Sequence, residues 1–379
     1  MTVERSSCGN DRSWMESCAV HPFELAVSGF SGAGKTTLLE RLVPRLAPMR
    51  IGYLKSDAHR VELDKPGKDT FRLAAAGAAD VAIRSGELSG QIGPGGVELR
   101  EWKTRLSESD AVFLEGFRDE PIPKLLVLDS AGEALAGLES GRFRNVVGLV
   151  HPGSAPRTDL PVFHRDDIDR IEVFVRGLWS ERIPKVRGLV LAGGRSSRMG
   201  VDKAGVGYHG RSQAAWLLEM LGSLGVDAMV SRAPGQDSLR DVESSRILED
   251  RYLGFGPLGG ILSALEFDPG AAWFVVGCDL PHLERADLES LLTRRDPFRF
   301  ASVFLDSDGR FPEPMCSIWE PKSRLRALQF LGLGYRCPRK VLINSRVELV
   351  APRSPDALFN ANTPEDRDRA RSKIGDVPP

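Results

Sequence analysis

FELAVSGFSGAGKTTLLERL, residues 23–42, reads as a short apolar strand, a glycine-rich turn and the opening of a helix. Within it, residues 29–36 satisfy G-x-x-x-x-G-K-S/T in full, in the strand–turn–helix setting that this phosphate loop requires. Gly29, Gly32 and Gly34 let backbone N–H groups turn inward and wrap phosphate oxygens. Thr36 and Thr37 open a helix whose N-terminal dipole favours the same negative charge. Lys35 is placed to reach the β- and γ-phosphates of a nucleoside triphosphate, and the Thr36 hydroxyl to bind Mg²⁺. Pro44 predicts a kink or an end to the helix, because it has no N–H to donate.

Further short strands follow at 51–56, 110–116, 123–129 and 145–150, separated by helical stretches. That alternation predicts a largely parallel, doubly wound sheet. Two strand ends carry acids suited to a Mg²⁺ contact, Glu115 in preference to Asp57; either could instead be an ordinary polar residue at a strand end. His59 is as readily a surface histidine as a functional one.

After a helical stretch at 166–179 and a linker at 180–185, the pattern restarts. VRGLVLAGGRSSRMGVDK, residues 186–203, is a second buried strand running into a second glycine turn. It lacks the G-K-S/T ending, so it is no second Walker loop, and it lacks G-x-G-x-x-G, so a dinucleotide fold is poorly supported. Leu191, Ala192, Gly193 and Gly194 allow close backbone approach, while Arg195, Arg198 and Lys203 gather cations. That suits a triphosphate whose charge grows on a leaving pyrophosphate. Downstream, Asp279 ends the apolar run AAWFVVGC, at the carboxyl end of a strand, where open α/β sheets place ligand chemistry. Asp250 precedes the glycine-proline turn around Gly256, which opens a helix. Asn360 and Asn362 precede a Thr363-Pro364 helix start that capping alone can explain.

Composition bounds the reading. A length of 379 residues suggests two or three domains. The 51 Lys plus Arg against 52 Asp plus Glu give a net charge of −1, without the basic excess of a general nucleic-acid binder. Five scattered cysteines with no C-x-x-C pair fit neither a disulfide framework nor a zinc site, and point to the cytoplasm. No segment has the run of a signal peptide or a membrane span. The expected organisation is a disordered extension over 1–20 and two α/β domains, 21–180 and 181–379.

Two resemblances sharpen this. GFSGAGKTTLLERL, LKSDAHRVELDKPGKDTFRLAAAGA (54–78) and FLEGF (113–117) together resemble MobB, the adaptor-like GTPase of molybdopterin guanine dinucleotide synthesis. The resemblance covers about 21–180. It implies a P-loop NTPase fold, GTP and Mg²⁺ held by Gly34, Lys35 and Thr36 with Glu115 as the acid, weak GTPase activity, and pairing of two copies through this domain. Ser56 and Ala58 stand where that family often has histidine, leaving His59.

LAGGRSSRMGVDKA, ILEDRYLGFGPLGGILSAL (247–265), VVGCDLP (275–281), EPM (313–315) and NANTPED (360–366) resemble, in that order, the MobA nucleotidyltransferases. This covers about 186–370 and implies a Rossmann-like nucleotidyltransferase fold. Leu191, Ala192, Gly193, Gly194 and Lys203 would bind GTP, with Asp250 and Gly256 near it. Asp279 would bind Mg²⁺, Lys203, Arg198 and Asp279 would be catalytic, and Asn360 and Asn362 would face the pterin. The implied reaction is Mg²⁺-dependent transfer of GMP from GTP to molybdopterin. Partners would be a molybdoenzyme or other cofactor-synthesis proteins, with no nucleic acid and no membrane. LAGG with Asp202-Lys203 favours the guanylyl branch. Ser231-Arg232-Ala233 stands where many guanylyltransferases read Asn-x-Asn, so transfer of CMP or another nucleotide, or use of another phosphorylated acceptor, stays open. So does GTP-dependent delivery of cofactor by the first domain acting as a binding module.

Overall fold

The computed structural model describes residues 20–56, 67–78, 81–84, 89–92, 99–192, 207–235 and 239–374. Contacts divide these residues into two compact units, meeting in sequence between Trp179 and Ser180. The expected extension over 1–20 lies almost wholly outside the described residues.

In the N-terminal unit, β1 (Glu24–Ser28) is buried along its whole length. It leads into α1 (Lys35–Leu42), after which residues 43–46 tighten into a 3-10 turn around Pro44, the helix end that its missing N–H predicts. The chain continues through β2 (Ile51–Lys55), α2 (Asp69–Ala75), an antiparallel pair β3 (Val81–Arg84) and β4 (Ser89–Ile92), α3 (Leu99–Arg105), β5 (Ala111–Glu115), β6 (Lys124–Val127), α4 (Glu133–Glu139), β7 (Val146–His151), β8 (Val162–His164) and α5 (Ile168–Ser180). Six strands form one sheet in the order β2-β5-β1-β6-β7-β8, and every pairing in it is parallel.

Parallel strands buried on both faces read as continuous apolar runs, as β5 does. α5 buries Ile168, Ile171, Val175 and Trp179, the stripe that helical periodicity sets on one face. Trp179, 1% exposed, meets Phe113 of β5 at a ring-centroid distance of 5.6 Å. Truncating it to alanine would cost about 3–5 kcal/mol.

The C-terminal unit runs β9 (Val186–Leu191), α6 (Gln213–Ser223), β10 (Ala228–Arg232), β11 (Ile247–Glu249), α7 (Pro257–Phe267), β12 (Ala272–Gly277), α8 (Arg285–Thr293), β13 (Ala301–Leu305), β14 (Pro312–Trp319), α9 (Ser323–Gly332), α10 (Pro338–Ile343), β15 (Val347–Val350) and α11 (Pro364–Ile374). Seven strands pair in the order β11-β10-β9-β12-β14-β13-β15. Here the sheet is mixed. β14 lies antiparallel between β12 and β13, a connection the strand-and-turn pattern did not reveal. Helices cover both faces: α6 and α8 pack over Phe274 and Val276, and α7, α9 and α10 over Trp273 and Val275. Alternate residues of β12 therefore feed opposite cores. The order reverses at β9, with β10 on one side and β12 on the other, making a switch point at the carboxyl ends of these strands.

Candidate functional sites of the two units

The phosphate loop leaves β1 at the centre of its sheet. Gly34 sits in the left-handed region at φ +94°, where a side chain would be strained, and forms the N-cap of α1. Lys35 Nζ donates to the Phe30 carbonyl at 2.8 Å, folding back over its own loop. Burial lowers the Lys35 pKa, and the Glu115 carboxylate pulls it back up.

Glu115 lies in register with Val27 and is 4% exposed. Thr36 Oγ1 donates to its carboxylate at 3.0 Å (Oε2) and 3.3 Å (Oε1). Tyr53 Oη donates to the same group at 2.9 Å, and burial together with this bond pushes the Tyr53 hydroxyl up to about 12. A hydroxyl and a carboxylate thus meet beside the loop, the hard oxygen donors that Mg²⁺ selects. Of the two acids expected there, Glu115 is in place; Asp57 and His59 lie outside the described residues. Tyr53 had no sequence signal beyond alternation in a strand.

In the C-terminal unit the candidates come from separate segments. Leu191 pairs with Gly277 of β12 on one side and Ser231 of β10 on the other, and Cys278 N–H donates to Leu191 O at 3.3 Å. Asp279 therefore emerges beside the end of β9, two residues past that pairing. Its carbonyl accepts from Ala361 N–H at 2.8 Å, so Asn360 and Asn362 flank the residue anchored to Asp279. Asn362 and Thr363 N–H groups both donate to Asp366, and Asp366 N–H donates to Thr363 Oγ1, which is the capping arrangement the sequence suggested.

Asp250 follows β11. Ser231 Oγ, 1% exposed as a residue, donates to Asp250 Oδ1 at 2.5 Å. Burial raises the Asp250 pKa and this bond lowers it. Gly260 on α7 is what allows the approach: a Cβ there would stand 2.5 Å from Ser231 Oγ and 2.8 Å from Leu191 Cδ2. Gly256 caps α7 at φ +57°. Gly193, Gly194, Arg195, Arg198, Asp202 and Lys203 lie outside the described residues.

Gly256, Asn360 and Asn362 line one open cleft of about 730 Å³, shared with Phe255, Glu313, Arg336 and Arg339. Glu313 is 4% exposed and burial raises its pKa; a backbone bond from Met315 and the Arg339 cation oppose this, while the Asp279 charge adds to it. Arg339 Nη2 donates to Glu313 Oε2 at 2.9 Å. EPM marked the place in the sequence, yet a role for Glu313 was missed, although an acid opening an apolar strand was its signal. The two arginines carried no signal, because only the fold of the α9–α10 turn brings them to the cleft. Among the described residues no three His, Cys, Asp or Glu side chains form a ready metal cluster. Asp279 with Glu313 nearby supplies oxygen donors, which fits a Mg²⁺ ion that takes its remaining ligands from phosphate and water.

These features define two fused α/β units for handling nucleotides, one on a Walker loop and one at the switch point of a mixed sheet. Residues 24–150 match the family described as molybdopterin guanine dinucleotide synthesis protein B, and residues 188–348 the MobA-like NTP transferase domain. A Synechocystis protein named molybdenum cofactor biosynthesis bifunctional protein is 32% identical over 179 residues, 47% of this chain and 52% of its own length. This chain thus spans about half the length of that relative. A Bacillus subtilis protein named probable molybdopterin-guanine dinucleotide biosynthesis adapter protein is 31% identical over 39% of this chain and 89% of its own. An Opitutus terrae protein named probable molybdenum cofactor guanylyltransferase is 32% identical over 49% of this chain and 95% of its own. The chain belongs to both families, joining a molybdopterin guanine dinucleotide synthesis protein B unit to a MobA-like NTP transferase unit. No helix of the described residues is long and apolar enough to cross a membrane.

Proposed function

We propose that the C-terminal unit transfers GMP from GTP to molybdopterin, releasing pyrophosphate, and that the N-terminal unit binds GTP as an adapter. The observation that carries this reading is the joining of Asp279 to the Asn360–Asn362 segment through the Ala361 N–H bond at 2.8 Å, which sets a strand-end acid beside the residues assigned to the acceptor.

An oxygen of the acceptor's terminal phosphate attacks the α-phosphorus of GTP. The α–β anhydride bond breaks, and its electrons leave on pyrophosphate. The attacking monoester is largely dianionic near neutral pH, with a second pKa of about 6, so no side chain has to remove a proton. The residues act by position and charge. Leu191 and Ala192 end the strand from which the glycine turn departs, Asp250 and Gly256 stand by the nucleotide, and Arg198 and Lys203 neutralise the phosphates. Asp279 holds Mg²⁺, which supplies further neutralisation of the charge on the leaving pyrophosphate. In the N-terminal unit Lys35 takes the phosphates, and Thr36 with Glu115 takes Mg²⁺. The partners of this reading are GTP, molybdopterin and a recipient molybdoenzyme, in the cytoplasm, the compartment that five scattered cysteines with no C-x-x-C pair suit.

The test is incubation with molybdopterin and Mg²⁺ plus each of the four ribonucleoside triphosphates, followed by mass analysis. A GMP adduct with stoichiometric pyrophosphate is expected from GTP. A CMP adduct as the main product would overturn the choice of base, and no adduct with any triphosphate would overturn transfer itself.

A further inference from the structure

Arg165 is used by nothing above. It follows β8 directly, and its backbone is held from two sides. Its N–H donates at 2.9 Å to the carbonyl of His151, the last residue of β7. From α1, Arg41 Nη1 donates to Arg165 O at 3.3 Å and to Asp166 Oδ1 at 2.7 Å, and Arg41 Nη2 to Asp166 O at 3.3 Å. The helix that begins at the phosphate loop therefore fixes the point from which the Arg165 side chain departs.

That side chain crosses back to the loop. Nη2 donates to Ala33 O at 3.5 Å, a long bond, and Nη1 lies 4.0 Å from where a Cβ on Gly34 would stand. Nε is buried with no hydrogen-bond partner among the described residues. Arginine has five N–H donors in a fixed fork, suited to carboxylate or phosphate oxygens. Yet among the described residues the one hydrogen bond that this guanidinium makes is to a neutral carbonyl. The nearby Asp166 carboxylate accepts from Arg41 instead. A planar cation braced from its own backbone, resting on a phosphate loop with a buried N–H unsatisfied among the described residues, is a binding group short of its ligand.

The surroundings select the ligand class. Phe30 of the loop lies 5.4 Å from the Arg118 guanidinium and 5.9 Å from that of Arg142, and Lys35 and Lys55 stand by. The acid facing them, Glu115, accepts from Thr36 and Tyr53. The sheet order places β1 between β5, which carries Glu115, and the β7–β8 side, which carries Arg165. We infer that Arg165 grips the polyphosphate of the nucleotide held by this loop, from the side of β1 opposite Glu115. The inference rests on the reading of the loop as a GTP site, and adds to it a cation from the same chain that discriminates by phosphate number.

The test uses the full chain, photolabelled with an azido-GTP probe in Mg²⁺, with label counted in peptides from residues 20–179. Unlabelled GTP, GDP and GMP serve as competitors. Arg165→Ala is expected to raise the GTP needed for half-displacement about ten-fold, the scale of a lost hydrogen bond to a charged group, with GMP unchanged. Arg165→Lys should fall between the two. An equal shift for GTP and GMP, or no shift, overturns the inference. If Arg165→Ala abolishes all labelling, the same comparison in Arg165→Lys decides. Labelling that survives Lys35→Ala would instead sink the GTP reading of the loop, so the two failures are distinct.

Discussion

The phosphate loop of the N-terminal unit is assembled from neighbours. Its lysine and threonine open the helix after β1, the facing Glu115 ends the adjacent β5, and they already hydrogen-bond to one another or to the loop. The described part of the C-terminal site draws instead on the ends of β9, β10 and β12, the turn before α7, the start of β14 and the segment before α11. On the proposed reading the first arrangement holds one ligand group, the polyphosphate. The second surrounds a cleft with acids, amides and arginines, which on the same reading takes a second substrate beside a nucleotide. A compact local motif suits binding. A site gathered from distant segments suits bringing two reactants into line.

If that division of labour holds, single changes should separate cleanly by unit. The largest effect is expected at Asp279. Asp279→Ala should lower the rate of pyrophosphate release by about 10³-fold or more, since it removes the strand-end carboxylate from a reaction driven by charge neutralisation. Azido-GTP labelling of peptides 20–179 should be unaffected. Turnover that survives would break the comparison at its strongest point. The mirror change is Lys35→Ala, expected to weaken that labelling about 10²-fold, the loss of a charge-assisted contact, with transfer rates held. Should transfer fall as well, the two units form one catalytic device and the contrast collapses.

A smaller effect concerns stability of the N-terminal unit alone. Lys124, at the start of β6, is fully buried; its Nζ donates to Glu120 O at 2.7 Å and Arg144 O at 2.5 Å. Burial lowers its pKa to about 8, against the Asp119 and Glu120 charges that raise it. The folded state therefore binds fewer protons than the unfolded chain between about pH 8 and the unfolded value of 10.5, and stability should rise with pH across that window. The gain is on the order of 2–3 kcal/mol. Lys35, also lowered, adds the same sign, so the diagnostic is a flatter slope in Lys124→Met than in the parent, read by urea unfolding at pH 8, 9 and 10. Tyr53, raised to about 12, works the other way, with stability falling above pH 10. Matching slopes in the two proteins would show that Lys124 titrates normally.

How far these contrasts were legible in sequence follows from the same geometry. The Walker loop, Pro44 and the apolar strands β1, β5 and β12 could be read locally, because each reports its own backbone needs. Asp279, Asp250, Gly256, Asn360 and Asn362 were visible as separate signals, and only register and the α7 turn show which of them meet. The antiparallel β14 escaped notice because two prolines, Glu313 and Ser317 interrupt PEPMCSIW, which leaves no continuous apolar run to read as a strand. Arg165 escaped because nothing in HRDD distinguishes a surface arginine from one folded back onto a loop 132 positions earlier.

Ser231 tests the finest part of the comparison, the choice of base. The sequence raised doubt here, since serine stands where asparagine is common in the guanylyl branch. The fold gives this serine a partner: its hydroxyl holds Asp250 Oδ1, and Gly260 leaves the pair just enough space. A carboxylate held this way presents an acceptor to adjacent N–H donors, which guanine offers at N1 and N2 and cytosine does not. Ser231→Ala should lower kcat/KM for GTP about ten-fold and change CTP use less, so the GTP-to-CTP ratio falls. It also removes the hydrogen bond that lowers the Asp250 pKa, leaving burial to raise it further. Any acidic limb in the transfer profile should then move to higher pH. A merely structural serine would shift both triphosphates alike and leave the limb where it was, and the base would then be read elsewhere in the site.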